Sequence, residues 1–297
     1  RFSGGHSAYS GTAPIVYDVK SDRYSLPFAP EYPLEYVYSN DQVLGEWSFM
    51  KRPWMTGHTY KSTGYDRNRK ALVFAPHEYT YFFDPKRGDW TRSEVANPFR
   101  PNFYVVTVCD TPDGAVVWAD RREGRDGLWK LSRTKDEWTP LPLEGELPAK
   151  TADQHGLAFD SRRKRLLFFS GIGKQAGNVA AWDPNTGKAE WLSPTGASAA
   201  VAPSRETVYV PELDAVLIGA KPVGSDGGHA WLLYDCANNA WQQIELPGDD
   251  PITRGRFNNS MGLMFDARRD LVWAVGQNSH VHVLRLDAKT VRRTPLP

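Results

Sequence analysis

Cysteine, methionine and long apolar runs are scarce in this 297-residue chain, and neither sign of charge is in excess. The two cysteines, Cys109 and Cys236, are far apart, so there is no disulfide framework and no thiolate metal cluster to read. No apolar stretch approaches the length of a bilayer, and Arg1 to Ser10 lacks a basic stretch followed by an apolar core. Neither a membrane span nor an intact signal peptide is expected. Lys and Arg number 36 against 35 Asp and Glu. Nucleic acid is held chiefly by clustered cations that displace its counterions, so it is not an expected partner. The chain also lacks a nucleophile elbow, a phosphate loop and a dinucleotide fingerprint.

Aromatic residues are plentiful: 11 Trp, 13 Tyr and 13 Phe stand beside 25 Gly and 22 Pro. Flat, bulky side chains suit a pleated surface and Gly and Pro punctuate turns, a balance that points to many short strands. Two hairpin types recur. In the first, an apolar strand usually ending in Asp turns into a very apolar strand, as in STGYDRNRKALVFA, HGLAFDSRRKRLLFFSG and MGLMFDARRDLVWAVG. Its turns fall at Asp66, Asp110, Asp160, Pro211 and Asp266, spaced by 44, 50, 51 and 55 residues. The second closes on an aromatic return strand, as in VYDVKSDRY, FFDPKRGDW, KLSRTKDEW, AWDPNTGKAEW and LYDCANNAW, and ends with RLDAKTV.

The two types alternate, giving four strands per period of about 50 residues, which is the unit of a β-propeller. A β-sandwich has no reason to repeat two hairpin types at a constant period. The expected fold is therefore all-β. It is a single β-propeller domain over residues 1–297, with four-stranded antiparallel blades and six visible units, the first incomplete at the N-terminus. The last unit is expected to end complete at Thr294 to Pro297. Residues 31–57 form an inserted loop, in which Asn40 to Met50 has the pattern of a short capped helix.

Gly4-Gly5, Tyr17, Tyr24 and the Trp182/Trp191 and Tyr234/Trp241 pairs resemble degenerate kelch repeats, and the whole chain resembles the kelch and galactose-oxidase-like propellers in architecture. The resemblance implies a fold and no activity. The copper chemistry of the oxidases needs a Cys joined to Tyr at the ligand face. Here Cys109 ends a first strand and Cys236 occupies a turn on the opposite face. No cofactor and no metal ligand set is assigned.

With strands A to D in each unit, the A–B and C–D turns share one face, and the longer connections share the other. The turns are short and polar and read as structural. The loop face is where a ligand is expected, and six of the seven histidines map to it, His282 alone falling within a strand. Candidate catalytic residues are His58, His77 and His155, with Tyr60 or Tyr79 as proton-transfer partner and Arg122 for charge neutralisation. Candidate ligand contacts are His6, His229, His280, Arg256, Asn259 and Trp54. Clustered Arg, His and Tyr suit an acidic or hydroxyl-rich glycan.

Three functions follow. The first is recognition of such a glycan, or of another polar ligand, on the loop face. The second is β-elimination of a uronate-containing glycan, since the layout resembles that of some propeller polysaccharide lyases. The third is a kelch-type module for a protein partner. Aromatic-rich, carbohydrate-compatible character gives the expectation of an extracytoplasmic, bacterial protein, periplasmic or secreted.

Overall fold

The computed structural model describes residues 13–28, 52–53, 61–102, 105–150, 155–170, 177–196, 207–223, 228–245, 262–275 and 281–297. The chain packs as two compact units, Arg1–Leu141 and Pro142–Pro297, and each is taken by itself. Every sheet is antiparallel, and together they are the blades of a β-propeller.

In the first unit a two-stranded sheet pairs β1 (Val16–Asp18) with β2 (Arg23–Ser25). Two four-stranded blades follow, built in chain order from β3 (Thr63–Asp66), β4 (Ala71–Phe74), β5 (Tyr81–Asp84) and β6 (Asp89–Arg92), then β7 (Thr107–Thr111), β8 (Gly114–Ala119), β9 (Gly127–Leu131) and β10 (Trp138–Leu141). The second unit opens with a blade of β11 (His155–Asp160), β12 (Arg165–Ser170), β13 (Val179–Trp182) and β14 (Ala189–Trp191). The next holds β15 (Thr207–Val210), β16 (Ala215–Val223), β17 (Gly228–Asp235) and β18 (Ala240–Glu245). A three-stranded sheet of β19 (Gly262–Asp266), β20 (Leu271–Val275) and β21 (Val281–Leu284) follows, and β22 (Arg292–Pro295) ends the chain. The short-period alternation thus gives the expected hairpins, with one correction. The last strand does not complete its own blade: β22 pairs with β18 of the preceding one, Gln243 opposite Thr294 and Glu245 opposite Arg292. Periodicity specifies a strand here, but it does not specify which of two available edges, that of β18 or that of β21, the strand joins.

The turns explain the recurring aspartates. Asp66, Asp84, Asp160, Asp183, Asp235, Asp266 and Asp287 each accept a hydrogen bond from the backbone N–H two residues on, at 2.8–3.2 Å. This Asx turn reverses the chain at the cost of no backbone donor. Four residues after six of these aspartates the backbone is left-handed, at Lys70, Gly88, Lys164, Gly187, Asn239 and Asp270. Only two of the six positions carry glycine, which adopts that region freely.

Between blades the packing is apolar and close. Val73, Phe82, Val108, Val117 and Trp129 form one core between the two four-stranded blades of the first unit. In the second unit Leu167, Phe169, Val216, Leu232 and Trp241 fill another. Innermost strands approach through glycine: a Cβ on Gly64 would lie 2.5 Å from Val108 Cγ1, and one on Gly156 2.5 Å from Thr207 Cγ2. Tyr17 faces Tyr24 and Tyr234 faces Trp241 across their hairpins, as the repeat suggested. Trp182, however, faces Ala189, while Trp191 lies opposite Ala180.

The turn face is structural, stitched blade to blade by ion pairs. Arg67 reaches Asp110 at 2.6 Å and Arg69 joins its own Asp66 to Asp136 of the next blade. In the second unit Arg163 joins Asp160 to Asp214.

Candidate functional site

The best-defined polar constellation on the loop face lies in the first unit, where the loop after β4 meets the loop after β8. It is assembled from a buried amide. Asn97 is 1% exposed on the segment following β6, so each of its polar groups needs a partner. Its Nδ2 donates to the His77 carbonyl at 2.9 Å, and its Oδ1 accepts the Thr80 hydroxyl at 2.7 Å. Its backbone N–H donates to the Glu78 carbonyl at 2.7 Å. Trp138 Nε1 donates to Thr80 Oγ1 at 2.7 Å, tying the network to the neighbouring blade. The chain from His77 to Thr80 is therefore pinned by groups that water does not reach.

Arg122 closes over this frame. Its Nε and Nη2 both donate to the Asn97 carbonyl, at 3.2 and 2.6 Å, and Nη2 also donates to Glu78 Oε1 at 2.6 Å. Both side chains of the ion pair are nearly half exposed. Among the described residues Nη1 makes no hydrogen bond, and its two N–H groups are the donors left to a ligand. The loop bearing Arg122 is itself anchored: Trp118 Nε1 donates to Asp126 Oδ1 at 3.0 Å, Arg121 Nε to the Asp126 carbonyl at 3.2 Å, and Arg100 N–H to the Asp120 carbonyl at 2.9 Å. The Arg92 guanidinium lies over the half-buried Tyr79 ring, 4.2 Å from its centroid, in a cation–π contact, and the ring packs against the Phe74, Tyr81, Phe83 and Trp90 cluster.

The remaining candidates separate by burial. His77 is 6% exposed and meets the edges of Phe74 and Tyr81, with ring centroids 5.3 and 6.0 Å away. Its environment is a packed aromatic cluster. His155 does not precede the strand as expected but opens β11, opposite Ser170, and is 1% exposed. His229 is likewise inside β17, opposite Pro222, and not in a loop. Pairing of β16 with β17 continues past an irregularity between Ile218 and Ala220, which shortens the connection. His6, Trp54, His58, Tyr60, Arg256, Asn259 and His280, with the helix expected at Asn40 to Met50, lie outside the described residues.

His77, Tyr79 and Arg122 thus belong to one neighbourhood, and Glu78, Thr80 and Asn97 complete it. The sequence pattern does not single out those three. Glu78 stands between two candidates and is open to notice, whereas nothing local marks Asn97, whose importance comes from a contact between loops.

Among the described residues no group of three His, Cys, Asp or Glu side chains is placed to hold a metal ion. Cys109 and Cys236 form no disulfide and are both buried. Burial, helped by Asp160 and Asp214, pushes the Cys236 thiol far above its ordinary range, which removes it as a nucleophile at neutral pH. No helix among the described residues is long and apolar enough to cross a membrane. Comparison with known proteins finds no family model that matches this chain and no match among curated proteins.

Proposed function

We propose that this protein is a ligand-recognition propeller that binds an acidic or hydroxyl-rich glycan on its loop face, with Arg122 as the central contact. One observation carries the reading. Arg122 is held by the Asn97 carbonyl and the Glu78 carboxylate, so its orientation is set before any ligand arrives. A donor pre-oriented in this way loses little side-chain freedom on binding, the condition under which a polar contact contributes affinity.

The test is calorimetric titration with a panel of neutral and uronate-containing oligosaccharides, alongside Arg122→Ala. Binding that weakens at least tenfold in the variant supports the reading, and absence of binding to every member overturns it. The same mixtures are followed for absorbance of an unsaturated uronate product. A signal that persists in wild-type protein and is lost on mutation of His77 or His155 would replace recognition with β-elimination.

A further inference from the structure

We infer that Glu78 is a specificity determinant that turns the Arg122 site towards neutral, hydroxyl-rich ligands and against carboxylates. The inference rests on the recognition reading above and narrows its ligand class. It follows from counting the edges of one guanidinium. A carboxylate is recognised best by two parallel N–H donors on adjacent nitrogens, either the Nε–Nη2 side or the Nη1–Nη2 end. The side edge is filled, because Nε and Nη2 converge on the Asn97 carbonyl. The end edge is half filled, because the other Nη2 hydrogen goes to Glu78 Oε1. What remains is Nη1 alone, with two diverging N–H groups. That arrangement suits two separate oxygens about 5 Å apart, such as hydroxyls that are not neighbours on one ring, and cannot form the planar fork.

Charge points the same way. Glu78 neutralises Arg122 at 2.6 Å. The loop from Asp120 to Asp126 carries three arginines against three carboxylates, so it adds no local positive excess for an anion. A ligand carboxylate approaching Nη1 meets a compensated ion pair, so it gains little from its charge while giving up hydration, whereas a neutral hydroxyl needs no excess charge.

The experiment compares a cello-oligosaccharide with its C6-oxidised glucuronan counterpart, which differ only in the carboxylates, on wild-type protein, Glu78→Gln and Arg122→Ala. The Glu78→Gln substitution keeps an oxygen for Nη2 but removes the charge. Wild-type protein is expected to bind the neutral ligand at least tenfold more tightly. Glu78→Gln is expected to move the affinity ratio about tenfold towards the uronate, the effect of one unbalanced charge at a protein surface. A wild-type preference for the uronate, or an unchanged ratio in Glu78→Gln while Arg122→Ala weakens both ligands, overturns the inference and leaves the site standing. If no member of the oligosaccharide panel binds, or Arg122→Ala alters neither affinity, the recognition reading itself fails and the inference goes with it.

Discussion

Arg163 places both terminal nitrogens of its guanidinium on Asp214, each 2.9 Å from one carboxylate oxygen, and so clamps the turn after β11 to the turn after β15. Tyr209 donates to the same carboxylate at 2.8 Å. Arg163, and then Tyr209, hold Asp214 below the usual carboxylate range against the opposing effect of burial. The unfolded chain therefore takes up this proton first, and the contribution of Asp214 to stability is complete above its unfolded value of about 3.9. It is lost as pH falls through the lower folded value. Denaturant midpoints measured from pH 7 down to pH 2.5 should fall in the acid range. Arg163→Met should cost about 2 kcal/mol at neutral pH and flatten that acid limb.

The pair Arg67–Asp110 between blades of the first unit behaves with the opposite sign. Desolvation outweighs Arg67 at Asp110 and raises its carboxyl above the ordinary value. An acid whose folded value is raised carries a penalty above its unfolded value, so removing its charge relieves the penalty while giving up the Arg67 bond. Asp110→Asn should accordingly change stability at pH 7 by under about 1 kcal/mol, far less than Arg163→Met. The same denaturant titrations distinguish the two.

Glycines at equivalent repeat positions should respond differently to alanine. Gly156→Ala drives a methyl to 2.5 Å from Thr207 Cγ2, whose hydroxyl is bonded to the Leu157 carbonyl at 2.8 Å and is not free to turn away. A loss of about 1–3 kcal/mol is expected. At Gly262 a Cβ meets nothing within 4 Å among the described residues, so Gly262→Ala should be neutral or slightly stabilising through the unfolded chain. Thermal melting of both variants is sufficient. Equal losses would show that the close approach of β11 and β15 is not what requires glycine.

Lys70 and Lys164 sit in the left-handed region, at φ 55° each, where Gly88 and Gly187 stand in equivalent turns. A side chain there costs on the order of 1 kcal/mol. Lys164→Gly should therefore raise stability by up to about 1 kcal/mol, after subtraction of the greater freedom glycine gives the unfolded chain. A loss in urea denaturation would contradict this.

The C-terminal strand covers an edge that would otherwise be open. Trp241 N–H donates to the Thr195 carbonyl at 2.9 Å, and its own carbonyl accepts Leu296 N–H at 3.0 Å. The linker from one blade and the tail from another thus share the outer side of β18. Deleting residues 292–297 should speed amide exchange at Gln243 and Glu245 at least tenfold, with little change along β11 and β12, and should promote self-association. Hydrogen exchange read by NMR or mass spectrometry tests this directly.

The aspartate at most turns, the aromatic return strands and the near-constant spacing were visible in the sequence because they are local. An Asx turn needs only its own five residues, and alternation along a strand is set by the pleat. From those features the all-β class, the hairpins and the structural turn face were readable. Three things were not. His77 and His155 look alike in sequence to any exposed loop histidine, yet neighbouring rings and strands bury both. Asn97 gives no local signal, since its partners come from two other loops, Thr80 and His77 from one and Arg122 from the next. The destination of β22 depends on competition between two strand edges, which repeat spacing does not encode. Periodicity thus determined which elements form. Burial, and the long-range demand that every buried polar group find a partner, decided which side chains are left facing solvent.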